Sequence, residues 1–405
     1  MAALAYRALP ATIGRIAILR EGREIQGDGH VPRWPAVPLF PPNHPRRFLP
    51  ALRTLLGVKA VSWVGRQLRD HAGSIMFPAR ERPEIGLWYR RQGIELVFWT
   101  VPNPLAFECG SPFVMPIHDL QHRLQPRFPE VSENGEWQAR EHLYRNAARR
   151  ATVLIADSAE GRDDILSFYG QLVPPERVAI LPFVPAPHIS VEDPDNQVRR
   201  VRKRFALPER YFFYPAQFWP HKNHEGIVRA LGLLHARGRS DICVVFCGSR
   251  DGPLYAQTHR AAIRLSVDLG VGKQVTSLPY VPDALMGGLY LGSAGLVMPT
   301  FFGPTNIPVL EAWKLGRPVI TSDIRGIRSQ AGDAALLVDP NSPKDLADAM
   351  QALWDDRTLA LRFVEAGRRR DASWTAGDFA VRLGEILSTA SEWARSDGGQ
   401  RGQSK

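Results

Sequence analysis

Residues 299–321 read Pro-Thr-Phe-Phe-Gly-Pro-Thr-Asn-Ile-Pro-Val-Leu-Glu-Ala-Trp-Lys-Leu-Gly-Arg-Pro-Val-Ile-Thr. A buried strand over 295–298 runs into a loop of small and turn residues. Pro308 then favours the first turn of a helix, where no N–H is needed. Such a loop offers unpaired N–H groups and the positive end of a helix dipole, a site for phosphate. Gly303, Pro304, Thr305, Asn306 and Ile307 make the loop. Leu310 and Glu311 lie one turn inside, where the carboxylate can accept hydrogen bonds from sugar hydroxyls. A second segment, 211–234, pairs an aromatic strand with a helix whose core stripe is Ile227, Val228, Leu231 and Leu234. Lys222 stands at the start of that helix, against the dipole unless an anion is nearby, and Gln217 supplies uncharged donors before it. His118 and Asp119 follow a strand ending at residue 117, at the strand end where α/β sheets place ligands. The plainer alternatives are an ordinary Gly/Pro-rich turn, a solvated lysine and a histidine satisfied by backbone.

These residues carry a resemblance. The stretch around Glu311 resembles the nucleotide-sugar signature of glycosyltransferase family 4, in which the last carboxylate of a Glu-(seven residues)-Glu pattern binds the donor ribose. Glu311 matches that second Glu, and Gly303 stands where the first would be. The Gly-Pro-Thr-Asn replacement resembles a branch that includes mannosyltransferases of bacterial surface polysaccharides. Lys222 matches the Lys of the family's Gly-Arg-Leu-(three residues)-Lys diphosphate clamp, with Gln217 at the Arg position. His118-Asp119 resembles the family's acceptor-side His-Asp pair. A further departure is Ser329, where Glu is common. The resemblance runs from about residue 114 to 374. It implies a GT-B fold, two Rossmann-like doubly wound α/β domains facing across a cleft, and transfer of a sugar from a nucleotide diphosphate to a hydroxyl with retention of configuration. The implied acceptor is a glycan or lipid-linked glycan in O-antigen, capsule or exopolysaccharide synthesis. Lys222, Gln217 and the N–H groups of Thr305 to Ile307 would stabilise the leaving diphosphate without a metal or other cofactor, and Val281 would line the base pocket. His118, Asp119 and Lys222 are the catalytic candidates. Two other readings stay open. One is a GT-B binding or partner subunit without transfer activity, motivated by Gly303, Gln217 and Ser329. The other is a nucleotide-sugar epimerase, which needs acid and base groups beyond His118 and Asp119.

Composition bounds the reading. The chain has 405 residues, enough for two domains, with 44% hydrophobic and 23% charged residues. Three cysteines (Cys109, Cys243, Cys247) cannot build a disulfide framework, and no His/Cys cluster has zinc spacing. No apolar run approaches the ~20 residues needed to span a bilayer. The N-terminus is interrupted by Arg7, Pro10 and Arg15, unlike a signal peptide, so a cytoplasmic protein is expected. The net charge of +10 and pI of about 9.8 admit an anionic membrane surface or phosphorylated small molecules as partners. No nucleic-acid module accompanies that charge.

The positioning elements follow from pattern. Short apolar runs at 15–19, 95–100, 113–117, 152–156 and 178–181 predict parallel strands in a first domain. Runs at 211–214, 242–247, 275–278, 296–298, 319–321 and 336–338 predict those of a second. Helices are expected over 136–150, 158–169, 253–269 and 343–354, and over 49–72 beyond a proline-dense loop at 35–50. The predicted layout is an acceptor-side domain over 1–187, a polar linker over 188–204 and a nucleotide-sugar domain over 205–374. The resemblance implies that a helix over 375–395 then crosses back to the first domain, and the Gly/Gln/Ser-rich composition predicts a disordered tail over 396–405.

Overall fold

The computed structural model describes residues 16–19 and 81–402, with side chains from 81 to 396. The loop expected at 35–50 and the helix expected at 49–72 lie outside the described residues. The chain forms two α/β units, each with its own parallel sheet.

The first sheet holds β1 (Ile16–Leu19), β2 (Leu96–Trp99), β3 (Phe113–Pro116), β4 (Val153–Ala156) and β5 (Val178–Ile180), paired in sequence order. Strands β2, β3 and β4 are buried at every position, as expected of strands covered on both faces. The helix Ala376–Gly402 belongs to this unit. It buries Phe379, Leu383, Ile386, Leu387 and Ala390 at helical spacing. The helix runs on through Gly402, where the Gly/Gln/Ser composition predicts a disordered tail.

The second sheet holds β6 (Phe212–Pro215), β7 (Val244–Cys247), β8 (Val275–Ser277), β9 (Gly295–Met298), β10 (Val319–Ser322) and β11 (Leu336–Val338). Its spatial order is β11-β10-β9-β6-β7-β8. Counted from β6 this is the doubly wound order 3-2-1-4-5-6. Phe212 pairs with Val244 on one side and Gly295 on the other. The winding therefore reverses between β6 and β9. Phe212, Phe213 and Tyr214 are fully buried, each aromatic contributing roughly 1.5–3 kcal/mol of transfer free energy.

Two expected boundaries move. The chain passes between the units at Pro182–Phe183 and again at Thr375–Ala376, and Phe128–Glu130 group with the second unit. The segment expected as a linker is the helix Pro194–Arg204, capped by Asp193, whose carboxylate accepts from the Asn196 N–H at 3.3 Å. It packs on the helix Asp283–Leu291 through the buried Val201. Arg199, Arg200, Arg202, Lys203 and Arg204 crowd its sequence and hide an apolar stripe only three residues long: Val198, Val201 and Phe205.

Candidate functional site

In a doubly wound sheet the connections leaving the two strands at the reversal diverge and open a crevice at their C-terminal ends. Here those connections are 216–223, after β6, and 299–306, after β9. Backbone bonds tie them together. The Phe301 N–H donates to the His221 carbonyl at 2.8 Å, and the Thr300 hydroxyl donates to it at 3.1 Å.

Asn223 organises this junction. It sits in the left-handed region (φ 58°), and its Oδ1 caps the helix His224–Ala236 by accepting from the Gly226 N–H at 3.1 Å. Its amide nitrogen donates to Pro299 O at 3.0 Å and to Pro340 O at 2.8 Å. One side chain thus binds the loops after β6, β9 and β11. A lone Asn before a helix reads in sequence as a cap, and nothing in the pattern announces its other two bonds. Lys222, half-buried, precedes it, and the Lys222 carbonyl accepts from the Tyr214 hydroxyl at 2.5 Å.

The two histidines of this loop point into protein. His221 Nδ1 lies 2.5 Å from Glu130 Oε1, a residue of the same unit. Burial would raise the Glu130 carboxyl, but hydrogen bonds from His221 outweigh it and hold the group below its ordinary range. His224 stacks on Phe218 at 4.2 Å, and burial pushes its pKa down to about 3. Gln217 is exposed, and its carbonyl oxygen accepts from Trp219 Nε1 at 3.0 Å and the Tyr255 hydroxyl at 3.2 Å. Those two bonds fix the side-chain amide, whose NH2 is the end able to donate to an anion.

The loop after β9 is held by a side chain that belongs to no sequence motif. Gln330 Oε1 accepts from the Asn306 N–H at 2.9 Å, and Gln330 Nε2 donates to the Asn306 carbonyl at 3.1 Å. The N–H array expected over Thr305 to Ile307 is therefore one donor shorter, because Asn306 is committed to Gln330. Gly326 backs the same loop: a β-carbon there would lie 2.7 Å from Pro304 O. Gly303 has φ 145°, a conformation that side-chain-bearing residues rarely adopt. A side chain placed at 303, such as the Glu of the expected pattern, would be strained in this backbone conformation.

Glu311 lies in the helix Ile307–Lys314 and is 9% exposed. Its Oε2 accepts from the Tyr290 hydroxyl at 2.7 Å. Burial raises the carboxyl above its ordinary range, the Tyr290 bond opposes this, and the charge of Asp283 adds to it. Leu310 is half-buried beside it. Val281 is buried in the connection after the edge strand β8, two strands from β6 and so about 10 Å across the sheet. Tyr280 beside it is 83% exposed.

The first unit places His118 and Asp119 directly after β3. Asp119 Oδ1 accepts from the Gln121 N–H at 2.9 Å and from Arg140 NH1 at 2.9 Å. Burial lowers the His118 pKa, which Asp119 partly offsets. Ser158 caps the helix Ala159–Tyr169, its Oγ accepting from the Gly161 N–H at 3.0 Å and donating to Asp157 Oδ1 at 3.2 Å. Among the described residues no three His, Cys, Asp or Glu side chains converge as metal ligands. No described helix is long and apolar enough to cross a membrane.

Comparison with known proteins fits this arrangement. Residues 195–370 match the family described as glycosyl transferases group 1. That match begins in the helix Pro194–Arg204, agreeing with its place in the second unit. A D-inositol 3-phosphate glycosyltransferase of Corynebacterium glutamicum is 25% identical over 289 residues, 69% of this chain and 67% of that protein. An O-antigen chain mannosyltransferase B of Escherichia coli is 30% identical over 150 residues, 36% of this chain and 37% of that one. Across the first curated relatives the matched part spans 58% to 67% of their length. The crystal structure of Anabaena HepE in complex with UDP and glucose superposes at a TM-score of 0.56 with 13% identity, covering 78% of this chain and 81% of that one. The chain thus has the GT-B fold, and residues 195–370 match the family described as glycosyl transferases group 1.

Proposed function

We propose that this protein transfers a sugar from a nucleoside diphosphate sugar to a hydroxyl of a glycan or lipid-linked glycan, with retention of anomeric configuration. The observation that carries the reading is the junction at the β6/β9 reversal. The Lys222 loop and the loop leading to Glu311 are tied there by Phe301, Thr300 and Asn223. Lys222 and the Gln217 amide take the diphosphate, stabilising the negative charge that grows on it as the glycosidic bond breaks. Glu311 accepts from the ribose hydroxyls. His118 and Asp119 serve the acceptor side, with Arg140 fixing the Asp119 carboxylate. No carboxylate is assigned as nucleophile; the leaving phosphate takes the acceptor proton on the same face.

The similarity to an O-antigen mannosyltransferase supports mannose as a donor sugar and surface polysaccharide as the product class. The exposed Arg199, Arg200, Lys203 and Arg204 support a protein that works in the cytoplasm against an anionic membrane surface, each well-placed cation adding about 1 kcal/mol there.

A panel of UDP-, GDP- and ADP-sugars read by melting temperature tests the donor. A true donor at 100 times its dissociation constant stabilises by about 2.7 kcal/mol. The stabilising sugar, radiolabelled, is then followed into acceptor, with the product anomer matching the donor. Stabilisation without transfer or hydrolysis supports the binding-subunit reading, and a changed sugar released without acceptor supports the epimerase. No stabilisation by any nucleotide sugar overturns the proposal.

A further inference from the structure

Glu311 and Tyr290 sit on different helices, and nothing in the sequence pattern links them. Tyr290 is the penultimate residue of the helix Asp283–Leu291, which follows the Tyr280–Val281 connection. Its ring is fully buried and packs edge-on against Phe213 of β6 at 5.0 Å, 87° between planes. That contact fixes the ring and leaves the hydroxyl one rotatable bond. The hydroxyl lies 2.7 Å from Glu311 Oε2 and 3.5 Å from Pro308 O. One proton serves one strong bond, so the carboxylate takes it. Burial first, and then the charge of Glu311, push the Tyr290 phenol far above its ordinary range. Tyr290 therefore stays a donor at every working pH.

The consequence is directional. Tyr290 occupies Oε2 and sets the carboxylate plane, and it is the one hydrogen-bond donor to this carboxylate among the described residues. A carboxylate held at one oxygen keeps acceptor capacity at the other for hydroxyls. We infer that Tyr290 is the positioning residue of the donor site: its hydroxyl holds Glu311 ionised and oriented for the ribose diol of a nucleoside diphosphate. The inference rests on the ribose role given to Glu311 above. The groups bearing on Glu311 are Tyr290 and Asp283, both on the helix Asp283–Leu291. Among the described residues no charged side chain of β9, β10 or the helix Arg357–Ala372, which pack against the Glu311 helix, perturbs it.

The test compares Tyr290→Phe, Glu311→Gln and the double variant by titration calorimetry, using whichever of UDP or GDP the wild type binds more tightly, from pH 5 to 8. Tyr290→Phe keeps the ring packed on Phe213, and its melting temperature checks this. Wild-type affinity falls as pH drops and Glu311 takes a proton. Losing the Tyr290 hydroxyl removes the bond that favours the ionised form, so in Tyr290→Phe this fall begins at higher pH. At pH 7 the dissociation constant rises roughly 5-fold, the size of one hydrogen bond's ordinary net contribution. In the Glu311→Gln background Tyr290→Phe changes affinity by less than about 2-fold, since the two act as one unit. If Glu311→Gln weakens binding but Tyr290→Phe shifts neither the affinity nor its pH dependence, the positioning role is overturned and the ribose role stands. If Glu311→Gln leaves nucleotide affinity unchanged, or neither nucleotide binds, the ribose role falls and this inference falls with it.

Discussion

Glu141 of the first unit and Glu311 of the second are buried to nearly the same degree, 8% and 9% exposed. Their carboxyls nevertheless move in opposite directions. Burial would raise Glu141, but Arg123 donates to both its oxygens, the Tyr169 hydroxyl donates at 2.9 Å, and the group is held below its ordinary range. His122 and Arg145 add contacts at 3.4 Å. Glu311 has the one bond from Tyr290 and the repulsion of Asp283, and it is raised. Partners as well as burial decide what a carboxylate does. A saturated carboxylate fastens helices together, and one left short of partners has capacity for a ligand. The sheets differ in the same sense. Among the described strands the first sheet never reverses its winding, and the second reverses once, at the strand ends where Lys222 and Asn223 lie.

Substitutions in the two units test this contrast. The largest effect is expected from Lys222→Ala. It removes a charge from the leaving group's cradle and should cost about 2–4 kcal/mol of transition-state stabilisation, a turnover loss of roughly 30- to 1,000-fold. Thermal stability should hardly change, and turnover near wild type would end the assignment.

Next comes the pair Glu141→Gln and Glu311→Gln, each read by melting and by nucleotide binding. Glu141 has a folded pKa below its reference value of 4.5. Its contribution to stability is therefore fully present above that pH and lost as pH falls through the folded value. Glu141→Gln should destabilise by about 2 kcal/mol at pH 7, because buried donors lose an ionised partner while Arg123 still reaches water. Nucleotide affinity should stay put. Glu311 has a folded pKa above its reference, so its ionisation opposes folding as pH rises past 4.5. Glu311→Gln should leave the melting temperature level or slightly higher at pH 7, while donor binding weakens. Equal destabilisation by both variants would erase the distinction between fastening and binding carboxylates.

The smallest effect is expected from Gln217→Arg, which adds the charge absent from the diphosphate clamp. Nucleotide diphosphate binding should hold or tighten by a fewfold, with a steeper dependence on salt. Activity of either protein should survive EDTA. Complete loss on chelation, restored by one divalent ion, would hand the diphosphate to a metal instead of to protein donors.

The strands were readable because each is a short apolar run bounded by turn residues; the runs at 211–214 and 319–321 lie within one residue of β6 and β10. Lys222 was readable because a cation at a helix start opposes the dipole, and Glu311 because the stretch around it resembles a nucleotide-sugar signature. The helix Pro194–Arg204 was hidden by its charge, and the helical continuation past residue 395 by a Gly-rich composition. Asn223, Gln330 and Tyr290 were hidden for another reason. Each works through a partner at least 20 residues away, and hydrogen bonds between distant segments leave no periodicity to read.

Strand and helix alternation, two halves of α/β type, and the residue types at each turn able to meet a phosphate or a hydroxyl are all written in the order of the residues. Those properties are local, set by side-chain period, turn chemistry and helix caps. Only the tertiary structure decided that the Asn306 N–H is already taken by Gln330, that Glu141 is saturated while Glu311 is not, and that one asparagine fastens three loops at the reversal of the sheet. Those outcomes depend on which donors reach which acceptors once the chain has packed.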